Sequence, residues 1–248
     1  MRDVSMTTEG DAADSGVSRW RRVHDALAAD LAAGVVPIGA RLPGESALAR
    51  RFGVNRHTVR RALQALAAAG RIRTEHGRGS FVLADPVRYT LSRRTRFGAN
   101  LADQGLTARR VVQTIEQAQA SAAVARALDL ARGAPVIEAV CLAYADGSPL
   151  ARSLHRFPPG RLPGIARALR ETGGITAALA ALGHGDFVRA STTITARPAS
   201  ELEARLLALP PKAPMLVTEG LDVAADGTPL QLVVTAFAGS RVELIVGA

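Results

Sequence analysis

Hydrophobic and polar residues follow a helical rhythm between positions 56 and 69. Apolar residues recur there at intervals of three and four, at Val59, Ala62, Leu63 and Leu66. This spacing predicts a helix that buries one face and exposes the other. The exposed face would carry His57, Arg60, Arg61 and Gln64.

A shorter helix is predicted directly before it, over residues 45–52. Glu45 lies in its first turn, where a carboxylate favours the helix dipole, and Gly53 can end it in the left-handed conformation. Asn55 can then cap the following helix. Because only three residues separate the two helices, the spacing is that of a helix-turn-helix, with Val54 expected to fill the space between them.

The helix-turn-helix is flanked by a further predicted helix and by a hairpin. The earlier helix is expected over residues 19–33, with Ser18 as its N-cap. Two short strands are expected over 71–74 and 80–83, joined by a glycine-containing loop. A helix-turn-helix followed by such a hairpin is a winged helix.

The C-terminal part of the chain contains an internal repeat. The motif Ala-Asp-Gly-x-Pro-Leu occurs at 145–150 and again, about 80 residues later, at 225–230. Each Asp-Gly separates two alternating apolar stretches, which indicates a β-hairpin. Helices are predicted before the hairpins, over 122–128 and 200–207, and a further one over 175–182. These elements predict an α+β fold that surrounds one antiparallel sheet and encloses a cleft.

The length and composition indicate two domains with real cores. The chain has 248 residues, of which 48% are hydrophobic, so it exceeds the common single-domain size. Asp85-Pro86 marks a boundary, because proline disfavours helix at the preceding residue. We expect a disordered tail over 1–16, a winged helix-turn-helix domain over 17–84, a linker over 85–92 and the α+β domain over 93–248.

Membrane and redox signals are absent from the sequence. Its single cysteine, Cys141, excludes an intramolecular disulfide framework and is expected in the core. No apolar run approaches the roughly 20 residues that span a bilayer. The first residues have neither the basic nor the apolar region of a signal peptide. We therefore expect a cytoplasmic protein with no membrane partner.

The positive charge is confined to the first part of the chain. The net charge is +9, and all of this excess lies in the first 110 residues, whereas residues 111–248 carry equal numbers of acidic and basic groups. One lysine, Lys212, stands against 30 arginines, and this bias explains the choice of Arg over Lys but not the asymmetry. The asymmetry predicts an acidic partner for the N-terminal domain only.

An exposed helix face with Arg, His and Gln suits the major groove of DNA, and a Gly-Arg-Gly tip suits the minor groove. For Arg61, phosphate contact and simple solvation are equally good interpretations. His57 and His76 have no Cys or carboxylate at ligand spacing, so no metal site is predicted. The candidate DNA contacts are Arg56, His57, Arg60 and Arg61 in the helix and Gly77, Arg78 and Gly79 in the wing.

A second basic cluster precedes a helix predicted from about Thr95 or Arg96 to Gln104. Free N–H groups at a helix N-terminus favour an anion, so Arg93, Arg94, Thr95 and Arg96 are predicted to bind a phosphate or phosphonate oxyanion. The alternative is a basic linker that adds phosphate contacts to DNA. No cofactor is predicted.

Ser153 and His155 are the further candidates for effector binding. They lie two residues apart in a predicted strand and therefore face the same side of the sheet. No glycine-framed nucleophile elbow surrounds Ser153, so this pair suits ligand hydrogen bonding better than a catalytic relay with Asp186. We expect no enzymatic activity.

The stretch 42–82 resembles the DNA-binding domain of GntR-family transcription regulators. The resemblance rests on Leu-Pro-Gly-Glu at 42–45, Val-Asn-Arg-His-Thr-Val-Arg at 54–60 and Gly-Arg-Gly-Ser-Phe-Val at 77–82. It implies DNA contacts from Arg56, Thr58 and Arg60 and from Gly77 with its neighbours, including His76. Gly44, Ser46 and His57 depart from the usual pattern, which leaves the operator sequence open.

Residues 88–246 resemble the UTRA effector domain of the HutC branch of that family, on the repeated Ala-Asp-Gly-x-Pro-Leu. The resemblance implies a chorismate-lyase-like fold that senses small molecules without catalysis. The stretches 89–97, 174–179 and 193–197 are similar to those of phosphonate-metabolism regulators. Sugar-phosphate sensors often carry two arginines where this chain has Cys141 and Ala143.

These observations predict a sequence-specific transcription regulator, most simply a repressor. A homodimer would bind a palindromic double-stranded DNA operator, with one recognition helix in each half-site. A small anion of phosphonate or phosphate metabolism would be the effector. The alternatives are a sugar phosphate or another organic acid such as an amino-acid catabolite, and, as rival classes, a non-specific nucleoid protein or a DNA-tethered enzyme.

Overall fold

In a computed structural model, the chain divides into two compact units, and the boundary lies between Pro86 and Val87. The structure describes residues 10–37, 39–75, 77–83, 86–94 and 96–247. No helix within these ranges is both long enough and apolar enough to cross a membrane.

The first unit is a winged helix. The apolar face of its third helix is wholly buried, as the spacing predicts, and packs against Leu27 and Leu48. The two strands pair antiparallel. Its elements are α1 (Gly10–Ala32), α2 (Glu45–Phe52), α3 (Arg56–Ala68), β1 (Ile72–Glu75) and β2 (Gly79–Val82).

Helix α1 begins earlier than the sequence pattern predicts. It starts at Gly10, so Ser18 lies inside the helix and is not its N-cap. The prediction of a disordered tail is therefore wrong for residues 10–16, where alanines at 12 and 13 favour continued helix. The remainder of that tail, residues 1–9, lies outside the described residues.

The second unit is built on a six-stranded antiparallel sheet with the strand order β4-β5-β6-β9-β8-β7, and a separate pair is formed by β3 and β10. Its strands are β3 (Val87–Leu91), β4 (Ala108–Gln119), β5 (Pro135–Ala145), β6 (Ser148–Phe157), β7 (Val188–Pro198), β8 (Pro214–Val223), β9 (Pro229–Ala238) and β10 (Val242–Val246). Its helices are α4 (Phe97–Ala102), α5 (Ala122–Ala127), α6 (Ile165–Thr172), α7 (Ile175–Ala181) and α8 (Glu201–Leu206).

Most of the segment predicted as a linker is a strand of the second unit. Strand β3 pairs in parallel with β10, the last strand of the chain. Val87 and Tyr89 alternate with exposed residues and are buried, Tyr89 against Phe237 with ring centroids 5.1 Å apart. The prediction of a linker over 85–92 is therefore wrong for these strand residues, because a strand from the end of the chain pairs with them and the large sheet buries their side chains.

The two repeats form the predicted hairpins and are tied together by a matched pair of arginines. Arg161 donates from Nη1 to the carbonyl of Leu128, at the end of α5, and to that of Pro229 in the second hairpin, at 2.5 and 3.1 Å. Arg241 of the second repeat likewise donates from Nη1 to the carbonyl of Leu207, at the end of α8, and to that of Pro149 in the first hairpin. Each repeat therefore supplies an arginine that donates to a carbonyl at the end of its own helix and to a carbonyl of the other repeat.

One face of the sheet has two separate covers. Helices α6 and α7 pack over the part of this face that contains Ala139, Cys141 and Phe157. Strand β3 and helix α4 pack over Ala143 and Phe237. The opposite face is covered by α5 and α8. Cross-strand partners share a face, so Ser153 and His155, opposite Cys141 and Ala139, lie beneath these covers.

Candidate DNA-binding surface and effector site

Helix α3 exposes the residues that the sequence predicts for DNA contact. Arg56, His57, Arg60 and Arg61 are exposed on α3, and Thr58 is half-buried. Asn55 caps the helix, because its Oδ1 accepts from the backbone N of Thr58 at 2.8 Å and from its hydroxyl at 2.9 Å. Thr58 therefore helps to define the start of the helix.

The two neighbouring arginines of α3 have different surroundings. The guanidinium of Arg61 lies 4.9 Å from the ring centroid of Trp20 on α1, a cation–π contact that holds it toward α1. Arg60 instead makes a bidentate ion pair with Glu45 of α2, from Nε to Oε1 at 2.9 Å and from Nη2 to Oε2 at 2.8 Å. This hydrogen bonding lowers the pKa of Glu45, so its carboxylate is charged at neutral pH.

The wing has the glycine geometry that the sequence predicts. Gly77 and Gly79 have φ values of 73° and 105°, which other residues rarely adopt. Gly77 and Arg78 at the tip are exposed, whereas His76 lies outside the described residues. A Cβ on Gly79 would lie only 2.7 Å from Nε of Arg41, so this arginine, missed by sequence reasoning, lies against the wing.

A chain of polar side chains crosses the covered face of the sheet in the second unit. His155 lies 2.9 Å from Ser153 through Nε2 and 3.1 Å from Gln231 through Nδ1. Gln231 donates to Asp222, which also accepts from Arg189. Four of the five side chains are buried, all except Arg189. We call these five residues the polar chain.

The polar chain determines which ring nitrogen of His155 carries the proton. The amide nitrogen of Gln231 donates to Asp222, so its amide oxygen must accept from Nδ1 of His155. Nε2 is then an acceptor, and the hydroxyl of Ser153 donates to it. The free capacity of Ser153 is consequently that of an acceptor, whereas its proton is already used.

Burial keeps His155 neutral and makes the stability of the protein depend on pH. Burial lowers the pKa of His155 from its ordinary value of 6.5 to about 3. Below pH 6.5, His155 is therefore protonated in the unfolded chain but stays neutral in the folded chain, until the pH falls to about 3. From pH 7 to pH 5 we expect His155 to remove about 2 kcal/mol from the free energy of unfolding.

Urea denaturation at several pH values measures this effect. His155→Gln should show a shallower fall in stability between pH 7 and pH 5 than the parent, whatever its stability at pH 7. The exposed His57→Gln is the matched control and should keep the parent slope. Equal slopes for His155→Gln and the parent would contradict a neutral, buried His155.

The predicted anion-binding segment joins the polar chain through Arg189. The carbonyl of Arg93 accepts from the backbone N of Arg189 at 2.8 Å. Arg96 donates from Nη2 to the carbonyl of Phe187 at 2.7 Å, and its guanidinium lies 3.6 Å from the Phe187 ring centroid. Arg94 pairs with exposed Asp186, so part of its charge is already matched. Thr95 lies outside the described residues.

Arg110 of β4 is a second basic residue that sequence reasoning missed. Its Nε is buried and has no hydrogen-bond partner among the described residues. Its charge acts on His155 and Tyr89, and those of Arg96 and Arg189 act on Tyr89 as well. Asp222 and Asp186 are the carboxylates that act on Arg96, and Asp186 is paired with Arg94. Arg96, Arg110 and Arg189 therefore leave the site with excess positive charge.

A cavity of about 570 Å³ lies beside Arg110, between β4 and the end of α6. Its lining includes Arg109, Arg110 and Arg170, with apolar Val112 and Leu169, and no acidic residue. Successive residues of a strand point to opposite faces, so Arg109 and Arg110 do not converge: Arg110 lies against Phe97 and Arg109 against Tyr144. The lining is nevertheless basic, which suits a small anion.

The absence of a side chain at Gly220 leaves room for the guanidinium of Arg189. A Cβ on Gly220 would lie 2.1 Å from Nη1 of Arg189, so the guanidinium lies directly against the backbone of β8. The only sequence signal for this arrangement is the interruption of apolar strands by Asp222 and Gln231.

Among the described residues, no group of three or more His, Cys, Asp or Glu side chains could hold a metal ion.

Both units match known protein families. Residues 20–82 match the bacterial regulatory proteins of the gntR family, and residues 103–243 match the UTRA domain. The chain is 38% identical to the HTH-type transcriptional regulator RB1450 of Rhizobium meliloti, over 92% of this chain and 94% of that protein. It is 35% identical to a probable transcriptional regulator, PhnF, of Escherichia coli, over 74% of this chain and 76% of that protein.

A solved structure matches the chain over both units. The crystal structure of PhnF from Mycobacterium smegmatis has a TM-score of 0.62 and 26% sequence identity, and it covers 91% of this chain and 98% of its own. The relatives RB1450 and PhnF are named as transcriptional regulators or repressors, in agreement with the expectation that the chain is not an enzyme.

Proposed function

The chain belongs to the GntR family of bacterial regulatory proteins and carries a UTRA domain, and on that basis we propose that it is a repressor whose operator binding is controlled by a small anionic effector. GntR regulators bind DNA operators, and UTRA domains bind small-molecule effectors. The observation that carries the proposal is the excess of arginine at both sites, on the exposed face of α3 and around the polar chain.

For DNA, we propose that a homodimer places one α3 in the major groove of each half-site of a palindrome. Arg56 and Arg60 would read bases, and Arg78 at the wing tip would enter the minor groove. The contact of Arg61 with Trp20 favours a phosphate-facing or supporting role for that residue. A two-fold protein on a two-fold site doubles the number of contacts.

Sequencing the DNA that the purified protein retains from its own sheared genome tests this part of the proposal. We expect a small number of discrete sites that contain an inverted repeat and give a footprint. Uniform retention of all fragments would instead support a non-specific nucleoid protein and would refute the operator. The genes beside the retained sites would also indicate the metabolism that is regulated.

For the effector, we propose an anion of phosphonate or phosphate metabolism bound by Arg96 and Arg110, with Ser153 accepting a hydrogen bond from it. Two relatives named PhnF support the phosphonate class. Arg93–Arg96 follows directly on β3, the first strand after the unit boundary. An anion bound here would bias the DNA-binding unit if it binds one arrangement of the segment better than another.

A thermal-shift panel measures effector binding. Methylphosphonate, inorganic phosphate, a sugar phosphate and a dicarboxylic acid are the probes, and an effector at 100 times its Kd should stabilise the folded state by about 2.7 kcal/mol. Arg110→Met should abolish the shift, whereas Arg167→Met, which removes an exposed arginine of α6, should preserve it. A shift that survives in Arg110→Met would refute the site, and a shift with the sugar phosphate alone would favour the alternative effector class.

A further inference from the structure

The ion pair between Glu45 and Arg60 leaves one defined edge of the guanidinium open. A guanidinium has five N–H groups, one on Nε and two on each terminal nitrogen. Glu45 accepts from Nε and from one N–H of Nη2. Both N–H groups of Nη1 and the second one of Nη2 remain, and no other described residue accepts from them. These groups form the edge that can donate in parallel to O6 and N7 of guanine.

We propose that Glu45 is a positioning residue that determines specificity, because it orients the open edge of Arg60 toward a guanine in the operator. This inference rests on the proposed function. Glu45 reaches Arg60 from a different helix, 15 residues earlier in the chain, so the pair also fixes how α2 meets α3. The proposal assigns to Glu45 no contact with DNA.

The exposure of the pair argues for orientation and against a mainly stabilising role. The side chains of Arg60 and Glu45 are 52% and 28% exposed, and ion pairs so open to water contribute little to folding. An unrestrained arginine loses rotamer entropy when it binds, and it can equally turn to a phosphate. A carboxylate beside DNA also repels phosphates. Glu45 therefore lowers general affinity for DNA while it sharpens the choice of base.

These opposite effects on non-specific affinity and on base preference distinguish a positioning role of Glu45 from a purely structural one. Removing the carboxylate should release Arg60 to the phosphates, so affinity for non-specific DNA should rise while guanine preference falls. A variant that merely destabilised the fold would lower both. Glu45→Gln keeps the shape of the side chain and one acceptor, so it should lie between the parent and Glu45→Ala.

Selection from a random double-stranded DNA library by the full-length protein, with sequencing of the bound pool, measures base preference at every position. We expect Glu45→Ala to lose about tenfold in guanine preference at one base pair of each half-site. This should be the same base pair at which Arg60→Ala loses its preference for guanine. In the Arg60→Ala background, Glu45→Ala should change the base preference no further. Thermal melting of each variant reports on folding.

The matched control is Asp25→Asn, which also removes one negative charge from the first unit. Asp25 is exposed on α1 and contacts His24 at 2.8 Å. The Asp25→Asn variant should bind non-specific DNA slightly more tightly, because it carries one negative charge fewer, and it should select the same DNA sequence as the parent. An Asp25→Asn motif that loses the same guanine would overturn the positioning role, because charge alone would then explain the effect.

Two results would overturn the inference while leaving the proposed function intact. One is a sharp motif for the parent that Glu45→Ala and Glu45→Gln both retain. The other is a change of base preference on adding Glu45→Ala to Arg60→Ala, which would mean that Glu45 reads a base directly. Failure of the proposed function looks different, since the parent protein itself would then select no motif.

Discussion

Replacing Arg60 by alanine is expected to remove most of the preference of the protein for its operator. The guanidinium of Arg60 is exposed on α3 and keeps an open pair of N–H donors, which is the arrangement that a bidentate contact with guanine needs. The loss of such a contact in each of two half-sites should weaken specific binding about 100-fold or more. Binding to non-specific DNA should remain weak and sensitive to salt, because phosphate contacts from other arginines persist.

Fluorescence anisotropy with an operator duplex and a scrambled duplex of the same composition measures both affinities. Arg19→Ala, on the exposed surface of α1, is a control of equal charge and should keep the ratio of the two affinities close to that of the parent. If Arg60→Ala bound the operator as tightly as the parent, α3 would not be the recognition helix in the proposed orientation.

Replacing Asp222 by asparagine should have the largest effect on stability. Asp222 is 1% exposed and accepts hydrogen bonds from both Arg189 and Gln231. Its removal leaves the guanidinium of Arg189, held against Gly220 with a side chain only 15% exposed, without a counter-charge. Breaking a buried ion pair in this way costs about 3–5 kcal/mol.

Urea unfolding followed by far-UV circular dichroism measures the loss, because the second unit contains the large sheet. The single tryptophan, Trp20, lies in the first unit, so its fluorescence follows that unit separately. Glu219→Gln changes the same charge at an exposed position of β8 and should alter the free energy of unfolding by less than about 0.5 kcal/mol. Equal stabilities for Asp222→Asn and Glu219→Gln would show that the polar chain does not support the fold.

Local signals were sufficient for the helix-turn-helix of the first unit, although not for the start of α1. The buried face of α3 follows from the spacing of four apolar residues, and the predicted bounds of α2 are those observed. Gly53 is left-handed with φ 62°, and Asn55 caps α3 as predicted. Each feature depends on contacts within a few residues, and a periodic pattern encodes such contacts directly.

The same holds for the two hairpins of the second unit. In the first hairpin Asp146 and Gly147 have φ values of 45° and 80°, so this Asp-Gly pair turns the chain as predicted. In the second hairpin only Gly227 has a positive φ, of 86°, and the loop between the paired residues Val223 and Pro229 is longer. Strands β4 and β7 escape prediction, because they form the two edges of the sheet and most of their residues are not buried. An edge strand has no strong apolar alternation to reveal it.

The effector site is predicted only in part. Ser153 and His155 face the same side because they lie two apart in a strand, and Cys141 is buried as expected. Their partners could not be predicted, since His155 meets Gln231 across 76 positions of sequence. Arg110 carries no local signal that separates it from the other arginines of the chain.

By itself, the sequence determined the classes of the two units, the exposed face of α3 and the excess of positive charge near the N-terminus. These properties depend on composition, on turn residues and on periodicity, all of which are local. The tertiary structure alone decided which arginines are restrained: Arg61 by Trp20, Arg60 by Glu45 and Arg189 by Asp222. The physical reason is that a charge acts through the groups that folding brings within a few ångströms, and those partners come from other helices and strands.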